Sequence, residues 1–148
     1  MKCLDTAVLL YAADKSSSFH LRAVEMLEQS IAGKWLACVC EQSLAEFVAT
    51  VTDPECVRNP LSPTAAAKLL EKLLKYPQPE ILYSDETILR RAVKLMEKYP
   101  TLRRNFTNAH VAATMLQHGV KTLVTADSQT FAPVRELDVE NPFETLFA

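Results

Sequence analysis

Lys2-Cys3-Leu4-Asp5, followed at once by Thr6-Ala7-Val8-Leu9-Leu10-Tyr11-Ala12-Ala13, reads as a short strand that stops at an acid and turns directly into a helix. The order recurs further on. Trp35–Cys40 is a β-rich run, and Leu44, Phe47, Val48 and Val51 then set a helical stripe over about Glu41–Thr52. Lys121–Thr125 is a strand, with Asp127 just beyond it and a short helical turn at Ser128–Ala132. No two-residue turn of the hairpin kind joins any pair of strands. Strands that alternate with helices and lack hairpins pair in parallel, under helices on both faces.

The rest of the chain fits that scheme. Phe19–Ile31 carries Leu21, Val24, Leu27 and Ile31 at helical spacing, and Gly33 can end it. Ser62-Pro63 opens a helix that runs to about Tyr76 on Leu69, Leu70, Leu73 and Leu74, with Pro placed where a first turn tolerates it. Pro77 and Pro79 close it, and Ile81–Tyr83 is a short strand. Ser84 or Asp85 caps a helix through Tyr99, with Ile88, Leu89, Ala92, Val93 and Met96 as its inner stripe. Asn105–Gln117 is the last long helix, closed by Gly119, and Glu136–Val139 is a candidate edge strand. The expectation is one domain over residues 1–148, an α/β fold with a central parallel sheet of four or five strands.

Composition removes several classes of protein. With 148 residues, a core forms without disulfides or structural metals. Only two glycines are present, Gly33 and Gly119, so there is no dinucleotide fingerprint, P-loop or Gly-x-Ser-x-Gly elbow. A net charge of −2 excludes a globally basic nucleic-acid wrapper, though not a local basic patch. No apolar run approaches the ~18 residues of a membrane span. The early acid at Asp5 argues against a secretory leader, so a cytoplasmic chain is expected. Cys3, Cys38, Cys40 and Cys56 lack zinc spacing and are expected to be buried thiols.

In a parallel sheet, ligands bind beyond the carboxyl ends of the strands, where strand order reverses. Asp5 and Asp127 both follow strands and belong at that rim. Glu46 lies among Leu44, Ala45, Phe47 and Val48, where an acid is costly unless paired or bound to a cation. Asn108 opens the helix that ends at Gly119. Oxygen donors from distant segments suit a hard divalent cation. Each acid also has a plain structural role open to it: Asp5 and Asp127 as helix caps, Glu46 as a surface residue.

Leu4-Asp5-Thr6-Ala7-Val8-Leu9-Leu10-Tyr11-Ala12 resembles the opening of PIN-domain proteins, especially VapC-type toxin ribonucleases. Gln42-Ser43-Leu44-Ala45-Glu46-Phe47 resembles the second acidic segment of that family. Asn108-Ala109-His110-Val111-Ala112-Ala113-Thr114-Met115-Leu116 is similar to the third, and Leu123-Val124-Thr125-Ala126-Asp127 with Phe131 to the fourth. The resemblance implies a three-layer α/β/α PIN fold and a Mg²⁺- or Mn²⁺-dependent ribonuclease that leaves a 5′-phosphate and a 3′-hydroxyl. It implies a catalytic set of Asp5, Glu46, Asn108 and Asp127, with metal on Asp5, Asp127 and Glu46 and with Thr125 as a supporting hydroxyl. It also implies an RNA substrate, a small antitoxin partner and a homodimer. Two positions depart from the pattern. The third family acid falls on Asn108, and the Asn two residues after the first Asp is Ala7. The alternative is a degenerate PIN domain that binds RNA or a protein without cutting. A third reading, a phosphatase or a response-regulator receiver, lacks the acids it needs beside Asp5 and after Cys40.

Arg90, Arg91, Lys94, Lys98, Arg103 and Arg104 form a candidate phosphate-contacting patch, the first four on one helical face. The alternative for that face is simple solvation. The segment from Asp127 to Ala148 is acidic by contrast. His110 is two residues from Asn108, so it points to another face and is expected to be a packing or surface histidine. Tyr11 and Trp35 are expected as core or rim aromatics.

Overall fold

The structure is a computed structural model, and it describes residues 1–144. Five strands form one sheet: β1 (Lys2–Leu4), β2 (Ala37–Cys40), β3 (Glu80–Leu82), β4 (Thr122–Val124) and β5 (Asp138–Glu140). All four pairings are parallel, in the order β3-β2-β1-β4-β5. The chain steps outward from β1 to β3 and then returns to the other side of β1 with β4. Strand order therefore reverses between β1 and β4, with Leu4 opposite Val124.

Helices cover both faces. On one side lie α1 (Thr6–Ala13), α2 (His20–Ile31), α3 (Glu41–Val51) and α4 (Pro63–Lys75). Leu4, Val39 and Val124 meet Val8, Leu44 and Phe47 there. On the other side lie α5 (Glu86–Lys98), a 3-10 turn (Pro100–Arg104) and α6 (Phe106–Gln117). Cys3, Cys38 and Leu123 meet Ile88, Ala112 and Met115 on that face. The short α7 (Ser128–Phe131) follows β4. This is the three-layer α/β/α arrangement, with the five-stranded alternative correct. The acidic stretch 127–148 runs past the described residues at 145–148.

Local chemistry sets the helix ends. The side chains of Asp5, Ser62, Asp85, Asn105 and Asp127 each accept a backbone N–H at the start of the helix they precede. Gly33 and Gly119 follow α2 and α6 in the left-handed region, at φ of 76° and 75°. An added Cβ at Gly119 would meet nothing within 4 Å, so Gly119→Ala isolates the backbone strain. We expect that substitution to cost about 1–2 kcal/mol, read as a lower midpoint in urea with an unchanged slope.

Several apolar stripes turn differently from their sequence reading. Leu21 is 80% exposed, and the buried positions of α2 are Ala23 and Ser30. Small Ala23 sits in the core cluster with Val8 and Leu9 of α1, and this rotates the stripe. Leu69 and Leu74 on α4 and Leu89 and Val93 on α5 are exposed as well. In α5 the inner face is Ile88, Ala92 and Leu95, because α6 is buried along most of its length and takes that face. Cys3, Cys38 and Cys40 are buried thiols as expected, whereas Cys56 is exposed. Its turn lies outside both layers, where its thiol donates to Asp53 Oδ2 at 3.3 Å. Tyr11 packs edge-on to Phe143 with ring centroids 4.9 Å apart, and Trp35 Nε1 donates to Gln29.

Candidate active site at the strand-order switch

Asp5 follows β1 and Thr125 follows β4, so parallel register sets them side by side. Thr125 is fully buried. Its hydroxyl donates to Asp5 Oδ2 at 2.7 Å and accepts the Asp127 backbone N–H at 3.0 Å. The other oxygen, Oδ1, accepts the Thr6 backbone N–H at 2.9 Å, which caps α1. One carboxylate is thus held by both strands that flank the switch. The short strands end in extended backbone at Asp5, which directs its side chain back over the first turn of α1.

Burial raises the Asp5 carboxyl above the ordinary carboxylate range. The bonds from Thr125 and Thr6 oppose this, and the nearby Asp127 charge adds to it. Glu46, half-buried on α3, is raised by burial and by the Asp5 charge, against a lowering hydrogen bond from Thr6. The Asp127 charge thus acts on Asp5, and the Asp5 charge acts on Glu46. Like charges are gathered here at a cost that a cation would offset.

Asp127 is exposed and caps α7. Its Oδ2 accepts the Thr130 hydroxyl at 2.7 Å and its Oδ1 the Thr130 backbone N–H at 3.4 Å. Its carboxylate thus performs the capping role that the sequence left open beside the metal role. Among the described residues, no three acidic, imidazole or thiol groups close into a ready-made cation cage. Asn108 stands half-buried in the first turn of α6, and its backbone N–H bonds to Asn105 O at 2.9 Å. Among the described residues no hydrogen bond joins the Asn108 side chain to the acids; the carboxylates of Asp5, Glu46 and Asp127 offer only oxygen, and their mutual repulsion is felt at Asp5 and Glu46. These residues fit a hard divalent cation such as Mg²⁺ or Mn²⁺ in their chemistry.

Thr125→Val keeps the volume of the side chain but leaves Asp5 Oδ2 and the Asp127 N–H without their partner. We expect a loss of about 1–3 kcal/mol in stability. Thr125→Ser, which keeps the hydroxyl, should recover most of it in the same denaturation experiment.

The basic patch divides in two. Arg90 pairs with Glu86 at 2.8 Å, Arg91 bonds to Gln117 at 3.1 Å, and Lys98 pairs with Glu136 at 2.6 Å. Lys94 shares their exposed helix. Arg103 and Arg104 instead line a cleft with Asp127. A further cluster is not legible in the sequence. Ser84 Oγ lies 2.6 Å from His110 Nε2, while the Ser84 backbone N–H donates to Glu41 Oε1 at 2.6 Å. Burial lowers the pKa of His110, and the Glu41 charge opposes this. Ser84 and Glu41 follow neighbouring strands, so only the register β2–β3 could have disclosed their meeting. His20 and His118 bond to the carbonyls of Tyr11 and Thr114.

A parallel sheet with acids at its reversal point defines an α/β/α protein with a carboxylate rim. The chain belongs to the PIN domain family, whose model matches residues 2–137. It is 25% identical over 144 residues to Ribonuclease VapC48 of Mycobacterium tuberculosis, covering 94% of this chain and 95% of that one. The fold is shared with FitAcB from Neisseria gonorrhoeae, at a TM-score of 0.66 and 22% identity over 98% of this chain and 100% of that one. A toxin–antitoxin complex from Klebsiella pneumoniae gives 0.67 and 18% identity, again over 98% and 100%. The sarcin-ricin loop cleaving toxin VapC20 of M. tuberculosis gives 0.67 and 15%, over 90% of this chain and 95% of that one.

Proposed function

We propose that this PIN domain, acting as one unit over residues 1–148, is a metal-dependent ribonuclease of the VapC toxin class. The observation that carries the reading is the Asp5 carboxylate. It is bonded to Thr125 and Thr6 at the strand-order switch, with Glu46 and Asp127 close enough for their charges to be felt. Membership of the PIN family and likeness to a protein named as a ribonuclease support it.

Asp5, Glu46 and Asp127 would hold the cation, with Asn108 giving a neutral oxygen. A bound divalent ion supplies an activated water and neutralises charge that develops on a phosphodiester. Thr125 orients Asp5 and ties Asp127 to it through the backbone. No contact at the rim favours a domain that binds without cutting, since Ala7 and Asn108 leave both Asp5 hydrogen bonds in place.

The same proposal includes a small antitoxin. A groove of about 570 Å³ opens between α1, α2, α3 and α4, walled by Leu9, Val24, Leu27, Phe47, Leu69 and Leu73. Lys68, Lys72 and Glu28 are the charged residues that line it. Such a groove fits the apolar face of an amphipathic helix whose outer face is acidic. Homodimerisation belongs to the reading too, and sedimentation of the free chain checks it. Among the described residues no helix is long and apolar enough to cross a membrane, which suits the cytoplasm we propose as the place of action.

The deciding assay is cleavage of a mixed RNA pool in Mn²⁺ or Mg²⁺, with and without chelator. Cleavage that chelator stops is the expected result. Cleavage indifferent to chelator, or none with either ion, would overturn the proposal.

A further inference from the structure

We infer that Arg103 and Arg104 form a subsite that seats an RNA backbone phosphate beside Asp127, a placement that rests on the ribonuclease reading above. The 3-10 turn that carries them is fastened at two points. Leu102 is fully buried, and the Thr101 hydroxyl donates to the Thr130 carbonyl on α7 at 2.9 Å. With Leu102 facing inward, Arg103 and Arg104 stand exposed on the outer side of the turn. Together with Thr101, Asp127, Gln129 and Thr130 they enclose a cleft of about 380 Å³.

Among the described residues neither guanidinium pairs with a carboxylate, in contrast to Arg90 and Lys98 on α5. Arg91 opens instead onto a separate cleft with Lys121, Arg135, Glu136 and Asp138, which does not include the carboxylate rim. Of the basic residues in this region, the two on the turn are therefore the ones that combine free donors with nearness to the carboxylate rim. The planar fork of Arg matches two phosphate oxygens. Among the described residues no aromatic side chain lines the cleft, so none of them stacks on a base there. The subsite takes the sugar–phosphate backbone of a neighbouring nucleotide and positions the strand without reading its sequence. It also counters the repulsion that clustered acids exert on RNA, and it brings the strand to Asp5 from the Asp127 side.

The test measures affinity for labelled oligoribonucleotides of several sequences, in chelator so that nothing is cut, as a function of salt. Four proteins are compared: wild type, Arg103→Ala/Arg104→Ala, Arg103→Lys/Arg104→Lys, and Arg90→Ala/Lys94→Ala for the competing location on α5. The first double variant should bind every sequence about tenfold more weakly. Its log–log salt slope should fall by roughly 0.7 for each phosphate that the arginines no longer neutralise. The lysine pair should keep the slope and give up part of the affinity, and the α5 pair should match wild type. In Mn²⁺, the KM of the alanine pair should rise more than its kcat falls. An unchanged slope in the alanine pair, or an equal weakening in the α5 pair, overturns the subsite. If wild type still cleaves RNA in that case, the ribonuclease reading stands without it. A wild type that neither binds nor cuts any RNA removes both.

Discussion

Asp5→Asn is expected to reduce RNA cleavage by more than about a hundredfold while leaving the protein folded. Outer-shell partners of a metal site alone are worth about 10–100-fold, and Asp5 is a direct, charged donor in this account. The fold should survive because Asn is as good a helix cap as Asp, so the bond from Thr6 N–H persists, while the new NH2 can meet Thr125 only by donating to its hydroxyl oxygen. The sign of the stability change follows from the raised carboxyl. Burial and the Asp127 charge set the folded-state pKa of Asp5 above its unfolded value. Its contribution to stability is then full below the usual carboxylate pKa and is lost as pH rises through the raised value. Above the usual carboxylate pKa, the buried Asp5 carboxyl weighs against the metal-free fold, and Asn removes that weight. Urea denaturation in chelator, from about pH 4 to pH 7, should show wild type losing ground to Asp5→Asn as pH rises. Asp5→Ala separates the two roles: it abolishes cleavage equally and also costs about 1 kcal/mol through the missing cap. An Asp5→Asn protein that cuts RNA at the wild-type rate would remove Asp5 from the chemistry altogether.

Asn108→Asp should act in the opposite direction, tightening the divalent cation by about tenfold or more and raising cleavage when metal is scarce. A unit charge a few ångströms from a cation is worth a few kcal/mol at the effective dielectric of a protein rim. Part of that is cancelled, because the new carboxylate joins a cluster in which the Asp5 charge already raises the proton affinity of Glu46. The first turn of α6 offsets some of the repulsion, since the positive end of the helix dipole favours a negative charge by about 0.3–1 kcal/mol. About tenfold is roughly 1.4 kcal/mol, a modest remainder of these terms. The readout is the Mn²⁺ concentration that gives half-maximal cleavage. Should Asn108→Asp leave that concentration unaltered, Asn108 would not belong to the cation site.

The positions of Asp5 and Asp127 were readable because each follows a short apolar run, and a parallel sheet brings all such ends to one rim. The order β3-β2-β1-β4-β5 then makes β1 and β4 neighbours, which the alternation of strands and helices implies but does not specify. Side-chain direction was less readable. Asp127 lies next to Thr125, yet its carboxylate turns to Thr130, a choice made by the cap of α7. The stripe of α2 misled at Leu21, because the close approach to α1 is made by small Ala23 rather than by the larger residues. The basic face of α5 is a true helical face, and its partners Gln117 and Glu136 come from segments far along the chain. The meeting of Ser84 with His110 and Glu41 depends on strand register, which no local pattern records. Sequence reasoning succeeded where the backbone alone places a residue and fell short where long-range partners decide the rotamer.

The central claim is that Asp5, Glu46 and Asp127 bind one divalent ion at the switch between β1 and β4. Calorimetric titration of the chelator-stripped protein with Mn²⁺ tests it most directly, since it needs no knowledge of the RNA. One ion per chain is expected, absent in Asp5→Asn and held more tightly in Asn108→Asp. An ion bound equally well by wild type and Asp5→Asn, or no ion bound at millimolar Mn²⁺, would contradict it.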